Sequence, residues 1–178
     1  AWRLNVQKCQ NENLTDNTYH VNDRIQRAEM FAPGSKKHNL DDFVIHRKDG
    51  LFAYQLAVVV DDIQQNISHI VRGCDLIETT AAQLCLTDIL AGERCHYAHI
   101  PVVLDAQKKK LSKQNHAPAI DNKRPSENLC RALSFLGATV PDELKQETPE
   151  NILQWSTQHW DLSMTPQQPA LPEPAPLA

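Results

Sequence analysis

Two short apolar runs separated by a helix-length stretch constrain this chain more than any other feature. Residues 67–71 read as a strand. Residues 75–90 carry Leu76, Ile77, Leu84, Leu86, Ile89 and Leu90 in an amphipathic helical pattern, with Gly92 just beyond as a stop. Residues 100–104 then gather Ile100, Val102, Val103 and Leu104 into a second strand. Parallel strands need a long crossover, and a helix supplies one, so this order predicts a parallel pair with a right-handed connection. The expected class is α/β. Open sheets of that class bind ligands beyond the ends of their strands. At that place Asp105 closes the apolar run, and Lys108, Lys109, Lys110 and Lys113 follow it. Ammonium groups suit phosphate oxygens. The competing reading is a lysine loop that only faces water.

The flanking segments are less regular. Residues 5–41 are rich in Asn, Asp, Gln and Lys and are interrupted by Pro33, Gly34 and Ser35, which predicts loop-rich or partly ordered structure. Phe43, Val44 and Ile45 form a short strand-like run closed by a turn signal at Lys48, Asp49 and Gly50. Residues 54–65 contain the β-branched run Val58 to Val60, so propensity favours a strand there. Downstream, Pro125 precedes a helical stretch at 126–136 with Leu129, Leu133 and Leu136 on one stripe and Gly137 at its end. Residues 149–160 read as a second short helix, and the proline-rich 165–178 as an extended, disordered tail.

Charge and cysteine usage narrow the classes. With 18 basic and 22 acidic side chains among 178 residues the formal net charge is −4, so any nucleic-acid contact rests on a local patch. The five cysteines include no Cys-x-x-Cys pair, which argues against a disulfide framework or a local zinc site and fits a reducing compartment. No run of apolar residues reaches membrane-spanning length and no signal-like segment opens the chain, so a cytoplasmic location is expected. His96 and His99 stand three apart, a spacing more often found in loops or cores than in a nucleotide or metal motif. Asp61, Asp62 and Asp75 read as capping or pocket-supporting groups rather than a metal cluster.

The segment from Lys110 to Ala117, KLSKQNHA, resembles the KMSKS signature of class I aminoacyl-tRNA synthetases in the form found in the glutamyl-Q tRNA(Asp) synthetase family. DGLFAYQLAVVVDD (Asp49 to Asp62), HIVRGCDL (His69 to Leu76) and HIPVVLDAQKKKLSKQNHAPA (His99 to Ala119) follow the family's order and spacing. The resemblance implies the second half of a Rossmann-like class I catalytic domain followed by short helices. It suggests a turn leading into a helix at 54–65, where propensity favours a strand. It divides the chain into a polar segment 1–41, a partial catalytic domain 42–120 bearing the KLSKQ loop, a helical part 121–164 and the tail 165–178. Ala1-Trp2-Arg3-Leu4 is similar to a stretch in the middle of the family's catalytic domain, so a C-terminal portion is expected. The HIGH-like motif, an acidic glutamate-binding residue and zinc-binding cysteines would then lie upstream, and the isolated chain would be inactive.

The same resemblance assigns chemistry. Tyr54 and Arg72 match the family's glutamate-binding tyrosine and arginine. Lys113 matches its ATP-contacting lysine, with Lys110 an auxiliary member of a motif that also includes Leu111, Ser112 and Gln114. A guanidinium grips a carboxylate through paired hydrogen bonds and a phenol adds a directional partner. Lys113 would neutralise phosphate charge as pyrophosphate leaves. The implied reaction is ATP-dependent activation of L-glutamate and its transfer to queuosine in the anticodon of tRNA(Asp), by a monomeric ligase that uses ATP with magnesium. An ordinary glutamyl-tRNA synthetase is the nearest competitor, and it is disfavoured on the expectation that the short span after Gln114 would not hold an anticodon-binding region. A non-catalytic remnant that binds nucleotide or RNA is the other. The chain departs from the family at Asn66 and Lys108, where glycine is usual, and at Ala82, where a basic residue is frequent.

Overall fold

The strand, helix and strand that organise the sequence are present, with shifted boundaries. A computed structural model describes residues 1–26, 29–31, 40–112 and 117–174, with the side chains of 29–31 excepted. Strand β5 (His69–Gly73) lies beside β6 (His96–Ile100). The His69 ring meets His96, and Arg72 meets His99, 27 residues on at both places, so the two strands run in the same direction. The expected partner strand at 100–104 needs correction. Pro101 offers no N–H to a ladder, so pairing with β5 falls on 96–100, and Val102–Leu104 forms a separate strand, β7. The crossover is a 3₁₀ helix, Cys74–Thr79, that continues into α3, Thr80–Ile89. Ala91 (φ +53°), not Gly92, takes the left-handed turn after α3. Gly92 serves a different need, because a Cβ there would stand 2.6 Å from the Ile63 side chain.

Residues 1–99 form one unit and 100–178 another. In the first unit, β1 (Trp2–Leu4) pairs antiparallel with β4 (Phe43–His46), and β2 (Tyr19–Val21) with β3 (Glu29–Phe31). Helix α1 (Val6–Asn11) is capped by Asn5, whose side chain accepts from the Lys8 N–H at 2.7 Å. Asp42 accepts the Val6 N–H at 2.9 Å and so ties α1 to the start of β4. Within the segment expected to be loop-rich or partly ordered, 5–41, the described residues thus include one short helix and two short strands between loops. Val6, Tyr19, Val21 and Leu40 join Ala81, Ala82, Leu84, Cys85 and Tyr97 in the buried core. Burying a side chain of valine or leucine size, such as Val6, Val21, Leu40 or Leu84, contributes roughly 1.5–3 kcal/mol. Ala82 sits on the buried face of α3, where a basic side chain would have no water.

Residues 54–65 resolve in favour of helix: α2 spans Tyr54–Gln64. Val59 is buried and tertiary packing overrides the strand preference of the valine run. Asn66 (φ +54°) closes α2 in the left-handed conformation that glycine supplies elsewhere and asparagine tolerates.

In the second unit, α4 (Pro125–Phe135) and α5 (Pro149–His159) each begin on a proline whose missing N–H costs nothing at a helix start. Thr148 caps α5 by accepting from the Asn151 N–H. Cys130, Leu144 and Ile152 form the buried centre, with Leu129, Leu133, Val140 and Trp155 around them. Over its described residues, 165–174, the tail departs from its expected disorder. Ala170–Pro172 forms β8, parallel to β7, with Val102 opposite Ala170 and Leu104 opposite Pro172. The Val102 N–H donates to Pro169 O at 3.0 Å and the Glu173 N–H to Leu104 O at 2.8 Å.

Candidate functional site

Arg72 leaves β5 half-buried, and its guanidinium is held on several sides. Its Nε–H donates to His99 Nε2 at 2.9 Å, Nη1 to Gln83 Oε1 at 2.6 Å and Nη2 to Thr80 Oγ1 at 2.7 Å, with a longer contact from Nη2 to the Leu76 carbonyl at 3.4 Å. The group lies over the Tyr97 ring, 5.1 Å from its centroid. Leu76, Thr80 and Gln83 come from the 3₁₀ helix and α3, so the crossover that the sheet requires also builds the arginine's cradle. All these acceptors are neutral. Among the described residues no carboxylate forms a salt bridge with Arg72, so its charge stays available to an anion. Burial pulls the guanidinium below its ordinary pKa, opposed by Tyr97, Tyr54, Asp62 and Asp23. Burial also pushes the Tyr97 hydroxyl up to about 12, with Arg72 pulling the other way.

Behind Arg72 lies a pair that the sequence does not announce. His99 Nδ1 stands 2.6 Å from Asp23 Oδ2, and neither side chain has any solvent exposure. A guanidinium N–H can only donate, so His99 Nε2 accepts and the ring proton resides on Nδ1, donated to Asp23. Burial alone would push the Asp23 carboxyl up. Hydrogen bonds from the His99 ring and from the N–H groups of Ile25, Gln26 and His99 outweigh it and hold the carboxyl below its usual value. His99 also stacks on Tyr97, with centroids 5.9 Å apart. Asp23 and His99 are 76 residues apart, and the nearest sequence signal was the His96–His99 spacing, read as loop or core. Core is what His99 is.

Tyr54 opens α2 and is 55% exposed. Its neighbour Gln55 accepts from Gln83 Nε2 at 2.7 Å, and Gln83 in turn accepts from Arg72. A chain of amides thus links the start of the helix bearing Tyr54 to the arginine. Asp62, further along α2, has its carboxyl raised by burial, opposed by Arg72 and reinforced by Asp61.

Lys110 belongs to the second unit. Leu104 and Lys110 form an antiparallel bridge, and the Leu111 N–H donates to Val103 O at 2.9 Å, so the chain doubles back on β7. Asp105 organises the turn: its carboxylate accepts from the N–H of Gln107 at 2.9 Å and of Lys109 at 2.8 Å. Lys108 has φ +61°, the conformation for which glycine is best suited. The motif's first residues therefore extend a hairpin, with Leu111 and Ser112 following. Lys113 and Gln114 lie outside the described residues. Among the described residues no group of three or more His, Cys, Asp or Glu is arranged to hold a metal ion, and no helix is long and apolar enough to cross a membrane.

Comparisons with known proteins agree with this architecture. A chain from Vibrio cholerae named glutamyl-Q tRNA(Asp) synthetase is 47% identical over 127 residues, which is 71% of this chain and 42% of that protein. The protein of that name from Photobacterium profundum is 48% identical over 166 residues, 93% of this chain and 50% of that one. The chain thus spans about half the length of the curated relatives it matches. A crystal structure of a glutamate tRNA ligase from Elizabethkingia meningosepticum superposes with a TM-score of 0.63 over 96% of this chain and 38% of that one, at 20% identity, a likeness of fold. Residues 11–163 match the family described as tRNA synthetases class I (E and Q), catalytic domain. The chain belongs to that family.

Proposed function

We propose that this chain supplies part of the glutamate-activating site of a glutamyl-Q tRNA(Asp) synthetase. The observation that carries the reading is Arg72, a half-buried cation oriented by neutral groups, beside the helix that begins at Tyr54. Glutamate has two carboxylates. Arg72 holds the side-chain carboxylate, Tyr54 contributes a phenol to its recognition, and the α-carboxylate is left to react. That carboxylate attacks the α-phosphorus of ATP, a new C–O–P linkage forms, and the bond to the β-phosphate breaks as pyrophosphate departs. Lys113 neutralises the charge that gathers on the departing phosphates, with Lys110 in support. Magnesium accompanies ATP through its phosphates. The glutamyl group then passes from the adenylate to queuosine in the anticodon of tRNA(Asp), with release of AMP. Zinc, which the family resemblance implies, would be held by cysteines upstream of these residues.

The identity of 47% and 48% to proteins named for that reaction supports the tRNA(Asp) specificity. We further propose that the protein acts as a cytoplasmic monomer, and that these 178 residues alone do not complete ATP–pyrophosphate exchange, since they span about half of the relatives. The domain reading that goes with this role is a partial catalytic domain over 42–120 that bears the KLSKQ loop, followed by a helical C-terminal part over 121–164. The decisive experiment is a transfer assay, with a polypeptide extended to the relatives' length, on queuosine-containing and queuosine-free tRNA(Asp). Glutamate incorporation dependent on queuosine is expected. Equal labelling of both tRNAs, or glutamylation at the 3′ end, would refute the reading.

A further inference from the structure

We infer that Asp23 and His99 are positioning residues for Arg72, arranged so that the arginine is oriented by a carboxylate without being neutralised by it. The inference deepens the proposed function and rests on it for the identity of the anion. A carboxylate placed directly against Arg72 would fix the guanidinium through two parallel hydrogen bonds and would also occupy the charge that a ligand must meet. The structure inserts a neutral imidazole instead. Asp23 lies 2.6 Å from His99 Nδ1, and His99 Nε2 lies 2.9 Å from Arg72 Nε. Asp23 also accepts from the N–H groups of Ile25, Gln26 and His99, so the carboxylate is fixed by backbone rather than by a mobile side chain. The Gln26 amide donates to His99 O at 2.9 Å and pins the strand that carries the ring.

Each link sets the next. The anchored carboxylate selects the Nδ1–H tautomer, that tautomer leaves a lone pair on Nε2, and the lone pair receives the Arg72 Nε–H. With Nε held by His99, Gln83 on Nη1, and Thr80 and the Leu76 carbonyl on Nη2, the guanidinium plane is fixed and one Nη1 donor is left to meet a carboxylate oxygen. The same logic explains why the pair is dry. Water at a ring nitrogen can satisfy either tautomer, so its exclusion leaves the choice to Asp23, and the Nε2–H form that would oppose the arginine N–H is disfavoured.

Two variants of His99 separate the links. His99→Asn retains a donor within reach of Asp23 and removes the acceptor for Arg72, whereas His99→Gln retains an acceptor near the Nε2 position. Asp23→Asn presents an amide that can donate to Nδ1 and so favours the wrong tautomer. The measurements are ¹⁵N shifts of the His99 ring and the Arg72 Nε–H resonance in the 178-residue chain, and L-glutamate affinity by chemical-shift titration of a polypeptide extended to the relatives' length, with circular dichroism as the check on folding.

In the unaltered chain a protonated Nδ1, an unprotonated Nε2 and a slowly exchanging Arg72 Nε–H are expected. Asp23→Asn and His99→Asn should each lose the protected Nε–H and weaken glutamate binding about tenfold, and His99→Gln should restore much of both. An Nε2–H tautomer in the unaltered chain would overturn the inference, as would an unchanged Nε–H signal in a folded Asp23→Asn or His99→Asn variant. Failure of the polypeptide extended to the relatives' length to bind glutamate while the expected tautomer is present would count against the glutamate reading and leave the positioning role standing.

Discussion

Tyr19 donates its hydroxyl proton to Asp88 at 2.7 Å across 69 residues of chain, and so fastens the N-terminal segment to α3. Arg94 completes the contact. It reaches the same carboxylate from Nη2 at 2.7 Å and from Nε at 2.9 Å, bonds Asp16, and lies over the Tyr19 ring. Burial is the first cause of the raised Tyr19 pKa, followed by Asp88, so the phenol stays a donor throughout the physiological range.

Tyr19→Phe should therefore lower stability by about 1–2 kcal/mol, the cost of losing a buried hydrogen bond to a charged acceptor while the ring's packing is kept. Urea denaturation checks this. Asp88→Asn should cost more, because it strips Arg94 of its main partner as well.

Arg72→Ala and Lys113→Ala should fail differently in a polypeptide extended to the relatives' length. Loss of Arg72 should raise the KM for glutamate by roughly 100-fold, the scale of a charge-assisted hydrogen-bonded contact. Loss of Lys113 should lower kcat for ATP–pyrophosphate exchange by about 100-fold with a smaller change in the KM for glutamate. Matching changes in both parameters for both variants would contradict the division of labour.

Lys108→Gly should stabilise the second unit by up to about 1 kcal/mol, because a side-chain-bearing residue at φ +61° is strained where glycine is not. A higher thermal midpoint with an unchanged circular dichroism spectrum is the expected result.

Gly137→Ala should act in the opposite sense. Gly137 has φ +96°, and a Cβ there would run into the carbonyl of Met164 in the 3₁₀ turn Leu162–Met164. A loss of at least about 2 kcal/mol is expected, measured by chemical denaturation.

Acid should act through Asp23. Its folded-state carboxyl titrates below the unfolded value near 3.9. Its contribution is complete above that value and is lost as the pH falls through the lower, folded pKa. Asp23→Asn should flatten the acid limb of the stability profile and leave the slope near neutrality alone.

Local signals gave the second unit's helices almost to the residue. Pro125 and Pro149 start them, and Gly137 ends the first as a residue in the left-handed region. The crossover was legible as a helix, but its division into a 3₁₀ and an α segment was not, since Leu76 and Thr80 earn their places through the arginine they face. Distance along the chain explains the larger misses. Val6, Tyr19 and Val21 are scattered among polar residues and look like loop until α3 packs against them. Proline content suggested disorder for β8 because no local pattern names its partner, β7. Arg72, Tyr54, Lys110 and Lys113 were read from whole blocks of resemblance, whereas Asp23 and His99 acquire meaning only when the loop after β2 packs on β6, where the Arg24 N–H bonds the Tyr97 carbonyl.

The prolines that made the tail look unstructured have a consequence for growth of the β7–β8 pair. Residues 169 and 173 bond towards β7, so 170, 172 and 174 face away from it, and there Pro172 and Pro174 have no N–H to give to a further strand. Such a strand terminates a sheet. It guards the folded chain against strand-by-strand polymerisation with its own copies, a protection written into composition rather than into charge.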